Sequence, residues 1–451
     1  MLPSPPPARR GAAAVTIALL LAAPSPGRAG QGIYEPVPLK PKDALLIEKS
    51  AEIEELFVRR GHVLPDGPAV ELVRRVGAAV APAHPVDDYQ RFRFGIVRSP
   101  VPNAFALPDG QVYVHAGLLA LLENEAQLAT VLAHEAMHVE GHHSIVNARQ
   151  ARKKQGGMIV LSVLLGDIGG LINIALQAAI LGYSRDLEKE ADVRALQRLL
   201  DAGFDPREAP RIFELLEEDP EGEQLPITPV WADHPLGEQR QAYTTEIVAQ
   251  MADLIAAHER DVGPLRVGAE DFTAQTAAVA RESIAQLLRA DRPRTALRLA
   301  ERLLGRDPDD PDTLALVGDA WHELDARSPT LPPDAMTRKA IRARLEQRAE
   351  RTRQEREELR KRDPAALPVL EENWERAVEA YLDALRLDPD HPAALRGLGF
   401  VLQEKGELVP AGRRLSRYLE VAPDALDRPL VLKALADITA ELKASAPEST
   451  Q

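Results

Sequence analysis

The stretch that most limits what this chain can become is Gln127–His143, QLATVLAHEAMHVEGHH. Leu128, Val131 and Leu132 recur at helical spacing and run into His134-Glu135-Ala136-Met137-His138, which places that motif on a partly buried helix. Residues four apart on a helix share a face. His134 and His138 can therefore offer two imidazole nitrogens to one metal ion. Glu135 lies about 100° round the helix, where its carboxylate can serve as general base toward water at that metal. Two histidines four apart on a solvated helix are ordinary. An apolar helix with an acid between them is not, and it calls for a third ligand.

A metzincin would supply that ligand as a third histidine, in H-E-x-x-H-x-x-G-x-x-H. Gly141 is in place, but the ligand position is Ser144, and His143 is one residue short of it. A glutamate from a later helix is the other solution. Tyr183–Asp192, YSRDLEKEAD, opens a helix expected to run to about Ala202, with Gly203 as its C-cap. Glu188 and Asp192 are four apart on one face, whereas Glu190 lies about 200° away. Glu188 is thus the expected third zinc ligand, and Asp192 is placed to accept a hydrogen bond from a ligating imidazole. A solvated acidic helix is the plain alternative.

The surroundings suggest an exported, soluble protein. The 451 residues allow two or three domains, and 45% hydrophobic and 27% charged residues fit a globular chain. A net charge of −14 argues against a nucleic-acid partner. Arg9 and Arg10 precede a short apolar run, Gly11–Ala23, and small residues up to Ala29, the pattern of a cleaved signal peptide over 1–29. An uncleaved membrane anchor is the alternative, although the run is short for a span. With no cysteine there is no disulfide and no cysteine-linked lipid anchor, so a lipoprotein is excluded and the expected location is the periplasm.

Along the chain, residues 30–60 read as an extended segment and a helix from Asp43 to Arg60. A second helix is expected over Asp66–Val80, capped by Asp66 with Pro68 in its first turn. Arg91–Val97, Asn103–Leu107 and Gln111–His115 read as strands, with an Asp-Gly turn before the last. Gln111, Val112, Tyr113 and Val114 can act as an edge strand pairing with an extended substrate, or as an ordinary core strand. Gly156–Tyr183 is apolar, but Gly166-Asp167-Ile168-Gly169-Gly170 interrupts it; a buried or membrane-touching helical hairpin is expected, with peripheral membrane contact.

The last third changes character. Pro389 and Pro423 are 34 residues apart, the tetratricopeptide period. In that register the consensus positions fall on Leu395, Leu398, Gly399 and Ala411, and in the preceding helix on Ala377, Tyr381 and Ala384. Leu314, Gly318 and Trp321 fit a first repeat helix, displaced from its partner by 47 residues. That insertion, about 326–372, is a charged helix with Glu and Arg interleaved, a solvated arm.

NAFALPDG, VYVHAGLL, LAHEAMHVEGHH, YSRDLEKEAD and ADHPLGEQR, in this order, resemble the family forty-eight zinc metallopeptidases. With the signal peptide and repeats, the order is most similar to their BepA-type periplasmic branch. The resemblance implies one Zn2+ per chain held by His134, His138 and Glu188, with Glu135 as general base and Asp192 as supporting acid. It also implies that His234, in the His-Pro loop, lies over the site as a regulatory fourth ligand. Arg185 and His234 are candidates for an oxyanion helper.

The expected fold is mainly α with a small sheet: a zincin-like domain over 61–250, a linker over 251–272, and a tetratricopeptide solenoid over 273–445. The expected function is zinc metalloendopeptidase action on misfolded or stalled envelope proteins, with the repeats recruiting substrate or outer-membrane assembly machinery. A periplasmic chaperone or scaffold with a latent protease is the main alternative, and a non-proteolytic zinc module a further one.

Overall fold

The computed structural model describes residues 38–82, 91–153, 183–217, 237–324 and 367–445. The segments expected to form a signal peptide, an apolar hairpin (all but Tyr183) and most of a charged insertion, together with His234 and the residues after 445, lie outside the described residues. The chain divides into two compact units, Met1–Val279 and Ala280–Gln451.

The first unit opens with helices α1 (Ala44–Arg59) and α2 (Pro68–Val80). Pro68 starts α2 where its missing N–H costs nothing. The residue capping α2 is Gly67, not Asp66, whose carboxylate instead takes Arg74 at 2.8 Å. Val70, Val73, Val76 and Val80 form the buried stripe of α2, each contributing roughly 1.5–3 kcal/mol by leaving water.

Three strands follow: β1 (Arg93–Val97), β2 (Ala104–Ala106) and β3 (Gln111–His115). Their order is β1-β3-β2, with β3 parallel to β1 (Arg93 opposite Gln111) and antiparallel to β2 (Ala104 opposite Val114). Gln111, Val112, Tyr113 and Val114 are therefore the centre of the sheet and not an edge. Both sides of β3 are already hydrogen-bonded, which leaves no ladder for a substrate. Among the described strands the two edges are β1 and β2, but Ala104, Phe105 and Ala106 of β2 are fully buried and the Ala104 N–H donates to Asn103 Oδ1. His115 N–H donates to Asn103 O and Leu107 N–H to Gln111 O, so the alternate backbone groups of Ala104 and Ala106 face away from β3.

Behind the sheet come α3 (Ala116–Leu121), α4 (Glu125–Glu140) and α5 (His143–Lys153). The side chain of Asn124 caps α4 by accepting from Gln127 N–H. All of α4 except Thr130 is buried, deeper than the one-sided pattern suggested. Leu128, Val131 and Leu132 join Val112 and Val114 of β3 and Val73 of α2 in one core. Next are α6 (Arg185–Asp201), α7 (Ala209–Glu217), α8 (Gly237–Gln250), α9 (Ala252–Asp261) and α10 (Glu270–Arg289), within which the division between units falls. Gly203, at φ 76°, follows α6 as expected of a helix stop.

Residues 251–272 are not a linker. Met251, Ile255 and Leu265 are buried against α6 and α8, and Glu125 and Ala126 donate their N–H groups to Gly268 and Val267. This strand-like return ties the N-terminus of α4 to the end of the unit.

The second unit continues with α11 (Pro293–Arg306), α12 (Pro311–Glu323), α13 (Leu367–Leu387), α14 (Pro392–Lys405), α15 (Leu408–Val421) and α16 (Arg428–Ala444). Leu314, Ala377, Tyr381, Ala384, Leu395, Leu398 and Ala411 meet in its core. Tyr381 of α13 lies against Gly318 of α12 and Gly397 of α14, so the helix pair expected across the insertion does form.

Candidate metal centre

Two helices build the site. α4 carries His134, Glu135 and His138, and α6 crosses it with Glu188 and Asp192; all five are buried. The Nε2 atoms of His134 and His138 are 2.9 Å apart. Glu188 Oε2 lies 3.5 Å from the first and Oε1 3.5 Å from the second. One donor atom from each residue lies within 4.8 Å of the others. A tetrahedral ion with bonds of about 2.1 Å sets its ligand atoms roughly 3.4 Å apart. Two imidazoles and a carboxylate at these separations fit a zinc-sized ion, and three protein donors leave a fourth position open.

The supporting groups are as specific. His134 Nδ1 lies 2.8 Å from Asp192 Oδ1, while its Nε2 faces His138 and Glu188. Asp192 in turn accepts two hydrogen bonds from Arg240, Nε to Oδ2 at 3.0 Å and Nη2 to Oδ1 at 2.7 Å, and one from the hydroxyl of Tyr243. Burial works to raise the pKa of Asp192, but Arg240 and then His134 outweigh it and hold it at about 2. Burial, with a further push from Glu188, raises Glu135 to about 7 against the pull of His134 and Arg240. A carboxyl poised there can take and return a proton near neutral pH.

A second set of contacts locks the two helices together. Glu140, at the end of α4 and buried, receives Arg194 at 3.3 Å and Arg198 at 3.0 Å from α6. This clasp joins Glu140, two residues beyond His138, to Arg194 and Arg198, two and six residues beyond Asp192, so it sets the register in which the donors meet.

Arg185 does not join the site. It is the first residue of α6 and exposed to solvent. The guanidinium beside the carboxylates is that of Arg240, 3.5 Å from Glu188 Oε2 and packed over the Phe213 ring. Arg240 follows His234 by six residues in the sequence, but helix periodicity gives no reason to send it inward. Tyr183, His143 and Tyr243 also escaped the sequence reading of roles. Tyr183 stacks on His138 with centroids 3.8 Å apart, and His143 Nδ1 lies 2.8 Å from His138 Nδ1. The only sequence signal for them is their position beside the motif residues.

Fold and site together define a helical metallopeptidase-type domain followed by paired repeat helices. Residues 70–258 match the model of peptidase family M48, and residues 369–406 match that of the TPR repeat. The chain thus carries a peptidase family M48 domain and a C-terminal TPR repeat. It is similar to the mitochondrial metalloendopeptidase OMA1 of Schizosaccharomyces pombe, 32% identical over 33% of this chain and 44% of that one. It is also similar to the putative beta-barrel assembly-enhancing protease of Vibrio cholerae, 33% identical over 38% of this chain and 37% of that one. The beta-barrel assembly-enhancing protease of Escherichia coli is 28% identical over 38% and 37%. The matched region spans under half the length of each of these relatives.

Proposed function

We propose that the chain is a zinc-dependent endopeptidase of the cell envelope. His134, His138 and Glu188 hold one Zn2+, and the observation that carries this is their donor separations of 2.9, 3.5 and 3.5 Å. Zinc, when bound, supplies Lewis acidity and makes water a nucleophile near neutral pH. Glu135 takes the proton from the attacking water and returns it to the leaving amine. Asp192, itself held by Arg240 and Tyr243, keeps His134 in the donating tautomer.

The substrates are misfolded or stalled outer-membrane proteins, and the repeats recruit them or their assembly machinery; the likeness to beta-barrel assembly-enhancing proteases supports this assignment. Arg9, Arg10 and the apolar run that follows support export to the periplasm. No described helix is long and apolar enough to cross a membrane. His234, in the His-Pro stretch outside the described residues, is the candidate regulator of access to the site.

The deciding experiment compares Glu135→Gln with the parent on an unfolded β-barrel protein, with bound zinc measured in both. Zinc retained and cleavage reduced by at least ~100-fold is expected for loss of a general base. Cleavage that survives the substitution would remove the peptidase reading.

A further inference from the structure

His138 is constrained on every side. Its Nε2 faces His134 and Glu188. Tyr183 covers one face of its ring, 16° from parallel, and the Tyr183 hydroxyl is tied to Ser144 at 2.9 Å. The remaining nitrogen, Nδ1, meets Nδ1 of His143 at 2.8 Å. The chain bends sharply to make that contact. α4 ends at Glu140, His142 adopts a left-handed φ of 54°, and His143 begins α5 with its ring folded back over the turn. A β-carbon at Gly141 would lie 2.3 Å from His143 Nε2, so the return of the ring requires glycine there.

A neutral imidazole has one N–H and one lone pair. If His138 presents the lone pair of Nε2 to a metal, its proton is on Nδ1, and the atom 2.8 Å away must accept it. We propose that His143 is a positioning residue of the metal site: its Nδ1 accepts the Nδ1–H of His138 and fixes His138 in its metal-donating tautomer and orientation. The N–H of His143 is then on Nε2, turned toward the Glu190 carboxylate 3.9 Å away. The two ligating imidazoles are thus supported differently. His134 leans on an anionic carboxylate, whereas His138 leans on a neutral ring that draws less electron density into it.

This inference rests on His134, His138 and Glu188 being the metal site, and the test separates the two claims. Zn2+ affinity is measured by competition with a chromophoric chelator on the full chain, for the parent, His143→Leu and His143→Asn. Leucine fills the space without an acceptor, while the asparagine Oδ1 stands where Nδ1 stood. We expect His143→Leu to weaken Zn2+ binding roughly 10- to 100-fold and His143→Asn to recover most of it. Melting temperatures without metal are read alongside. Parent-like affinity in His143→Leu overturns the proposal. So does asparagine as weak as leucine, or an affinity loss fully matched by destabilisation of the metal-free protein. A parent that binds no Zn2+ at all removes the metal site itself.

Discussion

Arg240 offers the sharpest test of how the site is held. Its side chain is 4% exposed, and it delivers two hydrogen bonds to Asp192 and lies 3.5 Å from Glu188. In Arg240→Leu both carboxylates stay buried and lose their shared cation. Removing one partner of a buried ion pair costs about 3–5 kcal/mol, because the charge left behind is neither solvated nor paired. In a unit of this size each kcal/mol moves the melting temperature by roughly 2–4 °C, so a fall of about 6–20 °C is expected in the metal-free protein. The double variant Arg240→Leu/Asp192→Asn removes the stranded charge as well. It should melt above the single Arg240→Leu variant, with a coupling of about 1–3 kcal/mol in the double-mutant cycle. The assay is thermal melting followed by circular dichroism after chelation and dialysis. A loss under about 1 kcal/mol in Arg240→Leu would mean that the pair adds little beyond its packing. Strict additivity of the two substitutions would show that the carboxylate does not depend on the guanidinium.

Other consequences can be read in parallel. Adding Zn2+ to the stripped parent at ~1,000 times its Kd should stabilise it by about 4 kcal/mol; Glu188→Ala should show little of that shift in the same melting assay. Gly318→Ala and Gly397→Ala each drive a β-carbon to within 2.6 and 2.3 Å of the Tyr381 ring, whose hydroxyl is tied to Asp319. Each should destabilise the repeat unit by about 1–3 kcal/mol in urea titration, despite the better helix propensity of alanine; a more stable variant would refute the close packing. His234→Ala should raise the initial rate of β-barrel protein cleavage if the loop blocks the open metal position, and a lower rate would make His234 a helper in the reaction instead.

The parts of this architecture that could be read in advance are those whose signal is local. Pro68 marks the start of α2, Gly203 the end of α6, and four-residue spacing puts His134 with His138 and Glu188 with Asp192. The 34-residue interval between Pro389 and Pro423 brought out Ala377, Tyr381, Ala384, Leu395, Leu398 and Ala411, which meet in one core, because repeat contacts are local; it did not bring out Gly397, which also meets Tyr381. What could not be read is partnership across distance. Alternation shows that Gln111–His115 is a strand but is silent on how many neighbours it has. That depends on β1 returning in parallel beside it, a pairing with no turn residues to announce it. The segment 251–272 reads as a connector, yet Met251, Ile255, Leu265 and Phe272 anchor it in the core of the first unit. Arg185 and Arg240 differ in the same way. Both are arginines near the start of a helix, and only the packing of α8 against α6 decides which guanidinium meets the carboxylates.

That packing also explains why the site needs the whole unit. The donor residues of α4 and α6 are some fifty positions apart, and each helix alone would present its charges to water. Bringing Glu188 and Asp192 beside Glu135 places three carboxylates in one buried volume, which costs free energy unless cations accompany them. Arg240 is the one contributed by the fold. A metal ion held by His134, His138 and Glu188 would be the other, which would couple metal binding to closure of α6 onto α4. Glu140, with its two arginines, lies at the far end of the same contact and holds the helices in register without touching the metal site. Because Ala195 and Leu199 of α6 share one core with α4 and the sheet, a site built this way should lose its metal as that core opens.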